Sequence, residues 1–218
     1  MGLRRQLRYA TDRLIRYKPI RDGKKHSLPG PLVVSLASHA PRFPTLDLTL
    51  RCLMSQSVQP DVIVLWLAPE DWKLLPRRVR RLEGDKLVIR QYTYRNLDIR
   101  SFRKIIPALK EYPGAFIVTA DDDVHYPRNW LQSLVTGYRS AFEVLCLRAH
   151  RIKCIDGDLL PYAQWEHNIP YEDAGPRIFP TGFGGILYPP GVLPPQTLDE
   201  EEFLRLCPEA DDLSLIHI

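Results

Sequence analysis

Apolar and polar residues follow two alternating periods along this chain, one typical of strands and the other of helices. Short apolar runs predict five buried strands, and segments with apolar residues at helical spacing separate them. Strands that alternate with helices predict an α/β fold, in which a mostly parallel central sheet carries helices on both faces. The predicted strands are residues 31–37, 62–67, 87–92, 115–120 and 144–149; the predicted helices are residues 46–58, 76–82, 101–112 (interrupted at Pro107) and 127–141.

The composition is that of a single globular domain. The 218 residues are enough for a substantial core, and the 44% apolar and 26% charged content is close to the soluble average. From residue 156 onward the pattern loosens into Pro, Gly and aromatic residues, which predicts a substrate-facing extension and no second domain. No apolar stretch approaches the roughly 20 residues of a membrane span. The first residues lack the apolar core of a secretory signal, so we expect a cytoplasmic protein.

Positive charge is concentrated at the N-terminus. Residues 1–25 contain nine Lys or Arg and two Asp, a net charge of +7, so the remainder carries −3 of the overall +4. We therefore set residues 1–30 apart as a basic leader. Residues 1–25 are predicted either to form an amphipathic helix that contacts an anionic membrane surface peripherally, or to be a solvated tail. Nucleic acid is not an expected partner, because no aromatic stacking platform or recognised nucleic-acid motif accompanies the basic residues.

Three consecutive aspartates, Asp121, Asp122 and Asp123, directly follow the fourth predicted strand. Like charges this close resist ionising together unless a cation shares them. Mg²⁺ and Mn²⁺ take carboxylates together with substrate phosphates, and ligands of parallel sheets bind beyond the carboxyl ends of the strands. The triplet therefore predicts a metal site that holds a diphosphate. The alternative is a turn or a helix N-cap, which a single Asp would satisfy.

Several segments, taken together, resemble the glycosyltransferases of the GT-A fold, close to the family 2-like bacterial enzymes. Their order along roughly residues 31–212 is far more specific than any one motif. The resemblance implies a GT-A domain over residues 31–212 and a metal-dependent, inverting transfer of a sugar from a nucleoside diphosphate donor to an acceptor hydroxyl. The acceptor implied is a surface glycan or a lipid-linked saccharide. The matching segments are residues 33–38, 41–42, 55–61, 121–123, 148–151, 181–185 and 210–212.

The resemblance also implies roles for individual residues. Asp121 and Asp123 would hold Mn²⁺ or Mg²⁺, with His150 as a further ligand, and Asp211 or Asp212 would be the catalytic base. Two of these roles have a plainer alternative. His150 could be a polar residue whose hydrogen bonds are made within the protein, and Asp211 or Asp212 could be a helix N-cap. The residues implied in donor binding are Ser35, Ala37, Arg42, Asp98, Lys104, Asp121, Asp122, Gly184 and Gly185.

Lys104 has support that is independent of the resemblance. A diphosphate leaving group needs more positive charge than one metal ion supplies, so a cation opposite an acidic metal site is chemically reasonable. The alternative is that Lys104 belongs to a basic helix face together with Arg100 and Arg103. We predict that Lys104 contacts the phosphates.

The last six residues depart from the family. An aromatic-rich helix would normally follow residues 210–212, yet the chain continues with Leu-Ser-Leu-Ile-His-Ile. One reading frame of a common transposon adapter used in DNA sequencing encodes these residues, so we expect residues 213–218 to be a non-native tail after a truncated domain. A natural reading frame that stops after Ile218 in the parent gene would refute this expectation.

Two other functions are compatible with parts of the sequence. Haloacid-dehalogenase-like phosphatases also place Asp-x-Asp after a strand, but their nucleophile usually closes the first strand and is followed by Asp-x-Thr or Asp-x-Val. Here the triplet follows the fourth predicted strand, and His125 occupies the last motif position. The second alternative is a nucleotide- or glycan-binding module without catalysis.

Overall fold

A six-stranded sheet lies at the centre of the protein. The computed structural model describes residues 11–95 and 99–206. From one edge to the other, the strands of the sheet are β5 (Leu87–Gln91), β4 (Val62–Leu67), β2 (Leu32–Ala37), β6 (Phe116–Ala120), β12 (Ile186–Tyr188) and β7 (Leu145–Cys146), numbered along the chain. The first four are parallel to one another, whereas β12 is antiparallel to both β6 and β7.

Helices cover both faces of this sheet. Alternate residues of each strand point to opposite faces, so Val34 and Leu36 join one apolar core while Val33 joins the other. The first core is closed by α2 (Phe43–Met54), α4 (Arg77–Arg80) and α6 (Trp130–Gly137), and the second by the 3₁₀ segment Arg100–Lys104 and by α5 (Ile106–Glu111). Strands buried on both faces explain the continuous apolar runs of the sequence. The predicted α/β fold with a mostly parallel sheet is confirmed.

Further short elements complete the described chain. Helices at its two ends are α1 (residues 11–17) and α7 (Glu200–Leu206), and α3 (Pro69–Trp72) follows β4. The small strands are β1 (Lys24–Lys25), β3 (Val58–Gln59), β8 (Ala149–Arg151), β9 (Cys154–Ile155), β10 (Asp158–Leu159) and β11 (Ile178–Pro180), and the remaining 3₁₀ segments are Ala40–Arg42, Tyr162–Gln164 and Pro195–Leu198. The loosely patterned region from residue 156 thus pairs back onto the domain, because β11 pairs with β8.

The structure corrects two predicted elements. The predicted strand over residues 144–149 is two short strands in different sheets, β7 in the central sheet and β8 paired with β11. The predicted helix over residues 101–112 is a 3₁₀ segment followed by a separate helix, α5, whose first turn contains Pro107. Pro107 fits there because a proline in the first turn of a helix lacks only an N–H that would have no partner within the helix.

The described part of the predicted leader packs onto the domain. The Arg16 guanidinium forms an ion pair with Asp47 of α2, with Nε and Oδ2 2.8 Å apart. Further along, β1 pairs in parallel with β3, and the His26 imidazole lies 2.9 Å from a carboxylate oxygen of Asp61. Residues 1–10 lie outside the described residues. None of the helices in the described ranges has the length and apolar character that crossing a membrane requires.

We expect Asp47→Asn to lower the free energy of unfolding by about 1–3 kcal/mol, because it removes a buried charged acceptor shared by two cations. Asp47 is buried, and its carboxylate accepts hydrogen bonds from Arg16 and from Arg78 Nε at 3.1 Å. Urea unfolding of the variant measures the loss. Asp85→Asn, at an exposed position, is the matched control and should change stability little. Equal stability of the two variants would contradict the expectation.

Candidate active site

The aspartate triplet lies where the strand order of the sheet reverses. From β2 the chain builds outward through β4 to β5, and it then returns to place β6 on the other side of β2. In open parallel sheets, ligands bind beyond the carboxyl ends of the strands at such a point. Leu36 pairs with Ala120, so β2 and β6 end side by side, and Ser38 and Asp121 follow at the same edge. The fold thus places the triplet where a ligand site is expected.

The outer two aspartates each face a cation. The Lys104 ammonium lies 3.5 Å from Oδ1 of Asp121, and an Arg42 N–H donates to Oδ2 of Asp123 over 2.6 Å. Their side chains remain partly accessible, at 24% for Asp121 and 37% for Asp123. Four of the predicted site residues are therefore brought together in two acid–base pairs.

Asp122 has a different environment, because its side chain points into the protein. The Ser38 hydroxyl donates to Asp122 Oδ2 over 2.6 Å, and the Thr49 hydroxyl donates to the Asp122 carbonyl oxygen over 3.0 Å. Burial raises the pKa of the Asp122 carboxyl, opposed by the Ser38 hydrogen bond and the nearby Arg42 charge. Asp122 thus anchors the triplet to α2 and to the turn after β2.

Tyr126 closes the loop that carries the triplet. The Asp121 backbone N–H donates to the Tyr126 hydroxyl over 2.8 Å, and burial together with the aspartate charges strongly raises the pKa of this phenol. The Tyr126 ring packs on Trp130, with ring centroids 4.2 Å apart, and Trp130 Nε1 donates to the Gly184 carbonyl over 2.6 Å. The aspartate loop is therefore tied to the glycine segment through two aromatic side chains.

Gly184 and Gly185 are brought next to the triplet by the antiparallel strand β12. Ile186 pairs with Thr119 of β6, so the residues just before Ile186 lie beside the end of that strand. Both glycines have positive φ, +101° and +99°, and a Cβ on Gly185 would lie 2.6 Å from Trp130 Cζ2. Backbone conformation and close packing thus account for the glycine at position 185.

Ser35 does not face the site. Its side chain is completely buried, and its hydroxyl donates to the Lys104 carbonyl over 2.5 Å while it accepts from Trp66 Nε1 at 2.9 Å. It holds the backbone of Lys104 against the sheet, and so positions the ammonium that meets Asp121. Ala37, at the end of β2, is partly exposed at the same edge as Ser38.

His150 lies in the small β8–β11 sheet and is 1% exposed. Its Nδ1 accepts from the Asn168 N–H at 2.9 Å, and its ring packs near His167 and Phe179. Burial is the main cause that lowers the pKa of the imidazole, which favours the neutral form. The structure places it in an aromatic cluster and not in a metal-binding group with the aspartates.

Sequence reasoning missed Phe183, which belongs to the matched segment 181–185. Phe183 is 57% exposed, and it lines a cavity of about 400 Å³ together with Thr11, Asp123, Val124 and His125. The Arg148 guanidinium lies over the Phe183 ring, 5.4 Å from its centroid. The signal available in the sequence was an aromatic residue inside a glycine-rich segment. The predicted residues Asp98, Asp211 and Asp212 lie outside the described residues.

Asp121 and Asp123 fit a hard divalent cation by the chemistry of their donor atoms. Proteins bind Mg²⁺ through one or two carboxylates, while water and substrate phosphates complete the shell, and Mn²⁺ favours the same oxygen ligands. Within residues 11–95 and 99–206, no group of three or more His, Cys, Asp or Glu side chains could hold a metal. Two carboxylates would leave the rest of such an ion's coordination shell to water and phosphate oxygens.

No protein-family model matches this chain, and no curated protein matches it. Among solved structures, the chain is similar to a mannosyltransferase from Pyrobaculum calidifontis in complex with GDP-Man and Mn²⁺, with a TM-score of 0.40 and 16% identity. That similarity covers 66% of this chain, which spans only 43% of the mannosyltransferase.

Two further solved structures are similar over more of their length. One is a 4-diphosphocytidyl-2C-methyl-D-erythritol synthase, with a TM-score of 0.48, 14% identity, and coverage of 88% of this chain and 85% of the synthase. The other is the inositol-1-phosphate CTP transferase from T. maritima, with a TM-score of 0.47, 10% identity, and coverage of 92% and 81%. Similarity at this level does not by itself imply a shared activity.

We expect Gly185→Ala to destabilise the protein more than Gly191→Ala. Both glycines have positive φ, but a Cβ would meet Trp130 only at position 185, whereas nothing lies within 4 Å of a Cβ at position 191. A non-glycine residue with positive φ costs about 1–3 kcal/mol of backbone strain at each site. At Gly185 the clash of the added Cβ with Trp130 costs about 1–3 kcal/mol more. Denaturant unfolding of both variants checks the difference, and equal losses would contradict it.

We expect wild type to lose stability relative to Asp122→Asn as the pH rises from about 3 to about 7. The folded-state pKa of Asp122 is raised above its ordinary 3.8, so the unfolded chain releases this proton first and folding becomes less favourable. The Asn side chain keeps an oxygen that can accept from Ser38. Urea midpoints of both proteins across this range test the sign. A relative gain by wild type would contradict it.

Proposed function

We propose that this protein is a metal-dependent glycosyltransferase that moves a sugar from a nucleoside diphosphate donor to an acceptor hydroxyl with inversion. The observation that carries the proposal is the pairing of Asp121 with Lys104, and of Asp123 with Arg42, where β6 ends beside β2. Two carboxylates and two cations at one sheet edge suit a diphosphate bound with a divalent cation. The resemblance to the GT-A family 2-like enzymes supports the same reaction.

Each residue near the triplet has a distinct task in this proposal. Asp121 and Asp123 would hold Mn²⁺ or Mg²⁺, which supplies positive charge to the diphosphate oxygens when bound. Lys104 is 9% exposed, so its charge acts in a partly desolvated setting where electrostatic attraction is strong. Arg42 is about half exposed and can exchange Asp123 for a phosphate oxygen of the donor. Phe183, exposed beside Asp123, offers a face for the sugar ring.

The acceptor side of the reaction requires a base. A carboxylate must take the proton of the acceptor hydroxyl while its oxygen attacks the anomeric carbon from the face opposite the diphosphate. We propose Asp211 or Asp212 for this role on the family resemblance. A surface glycan or lipid-linked saccharide is the proposed acceptor. The proposed location is the cytoplasm, with peripheral contact at the inner face of the membrane.

The phosphatase alternative is less compatible with the fold. The nucleophilic carboxylate of such a phosphatase would lie at the end of the first strand of the sheet. Here that strand is β2, which ends at Ala37, and the next two residues, Ser38 and His39, carry no carboxylate. The carboxylates instead follow β6, which is later in the chain although it lies beside β2.

Binding of a panel of nucleoside diphosphates and nucleotide sugars, with and without Mn²⁺, tests the donor site. We expect Mn²⁺-dependent binding of one nucleotide by wild type and a loss of at least about tenfold in Asp123→Asn, because a metal ligand is removed. Asp158→Asn, at an exposed position in β10, is the matched control and should bind as wild type. Absence of metal-dependent binding by the folded protein would overturn the proposal.

The released product distinguishes a glycosyltransferase from a phosphatase and from a binding module. A glycosyltransferase releases nucleoside diphosphate, a phosphatase releases inorganic phosphate, and a binding module releases neither. Asp211→Asn and Asp212→Asn should identify the base, since one of them should abolish release of nucleoside diphosphate while donor binding remains. If both variants release nucleoside diphosphate at the wild-type rate, neither residue is the catalytic base.

A further inference from the structure

A second cavity, of about 340 Å³, borders the loop that follows the triplet, because His125 and Tyr126 line it. It lies between the segment after α1, the C-terminal end of α2 and residues 125–128. Its volume is at the lower end of the range of about 300–1,000 Å³ that small-ligand sites occupy. The lining residues are Ile15, Lys18, Pro19, Arg21, Arg51, Cys52, Ser55, His125, Tyr126 and Arg128.

The lining of this basic cavity contains four permanent cations and no carboxylate: Lys18, Arg21, Arg51 and Arg128. Two of them are held in place by carbonyl oxygens, which do not cancel their charge. Arg128 donates to the Ser55 carbonyl over 2.9 Å and to the Asp22 carbonyl over 3.0 Å, and Arg51 donates to the Lys18 carbonyl over 3.4 Å. Across the described ranges, none of these four cations forms an ion pair with a carboxylate.

Two carboxylates close to lining residues do not pair with the four cations. The Asp22 carboxylate pairs with Lys86, and Asp12 lies 3.6 Å from the His125 imidazole. Burial raises the pKa of the Cys52 thiol to about 11, so this side chain adds no negative charge at neutral pH. The four cations of the lining thus have no carboxylate partner among the described residues, so their positive charge is available to an anionic ligand.

We propose that this basic cavity binds the phosphate group of a ligand. Arginine presents a planar fork of N–H donors that matches phosphate oxygens, and lysine adds a point charge. Ile15, Pro19 and the Tyr126 ring add apolar surface for an organic part next to the phosphate. His125 lines both this cavity and the one that contains Asp123, so the two sites are neighbours. The proposal does not depend on the proposed transfer reaction.

Titration of pyrophosphate without divalent metal into wild type and Lys18→Gln/Arg21→Gln tests the site. Both side chains are exposed, so their neutralisation should leave the fold intact, which urea unfolding verifies. We expect wild type to bind pyrophosphate and the double variant to bind about tenfold more weakly or worse, because two charged donors are lost. Binding should weaken as salt is added.

Two controls make the test specific. Lys73→Gln/Arg77→Gln removes the same charges from exposed positions outside the cavity and should bind pyrophosphate as wild type. Arg42→Gln should also leave this binding in place, because Arg42 lies at the aspartate site. Failure of wild type to bind, an equal loss in Lys73→Gln/Arg77→Gln, or a loss confined to Arg42→Gln would each overturn the proposal.

Vesicles distinguish the source of the phosphate. Phosphatidylcholine vesicles with and without phosphatidic acid are mixed with wild type, with pyrophosphate as competitor. Binding to phosphatidic acid that pyrophosphate displaces, and that Lys18→Gln/Arg21→Gln lacks, supports a lipid headgroup as the ligand. Pyrophosphate binding without vesicle binding supports a free phosphate-bearing ligand.

Discussion

The parallel pairing of β2 with β6 is the constraint on which the candidate site depends. It sets the ends of two buried strands level, so that the Ser38 hydroxyl reaches the Asp122 carboxylate at 2.6 Å. Side chains alternate along a strand, so a slip of two residues is the smallest that would keep the same faces buried. Such a slip would move the triplet by about 7 Å, well beyond hydrogen-bond reach. The apolar packing of the two faces thus fixes the position of the polar groups at the edge.

The aspartates of this chain differ in how their charge is compensated. Asp47 is buried and shared by two arginines, so it has no capacity for a ligand. Asp122 is turned inward and bonded to Ser38. Asp121 pairs with Lys104 and Asp123 with Arg42, and both carboxylates remain partly accessible. This difference in exposure, and not the number of consecutive carboxylates, separates the residues suited to a ligand from those that support the fold.

The strands of the parallel sheet were predictable because burial on both faces leaves continuous apolar runs, and the run over residues 62–67 coincides with β4. Strand β12 has three residues between Gly185 and Pro189, too few to show a period. Its position depends on pairing with β6, which is 66 residues or more away along the chain and invisible to local pattern. The inward orientation of Ser35 could not be predicted either, since the alternation of a strand buried on both faces does not reveal which face meets Lys104.

The described part of the basic N-terminal segment is packed against the domain. A separate tail would keep its positive charges away from the domain, but the described part docks through Arg16 and through β1. Residues of this segment line both cavities, Thr11 beside Asp123 and Lys18 in the basic cavity. The two cavities share His125, so the segment reaches both sides of the loop that contains this residue. The segment therefore belongs to the environment of the candidate site, and its removal would alter both the shape and the potential of that environment.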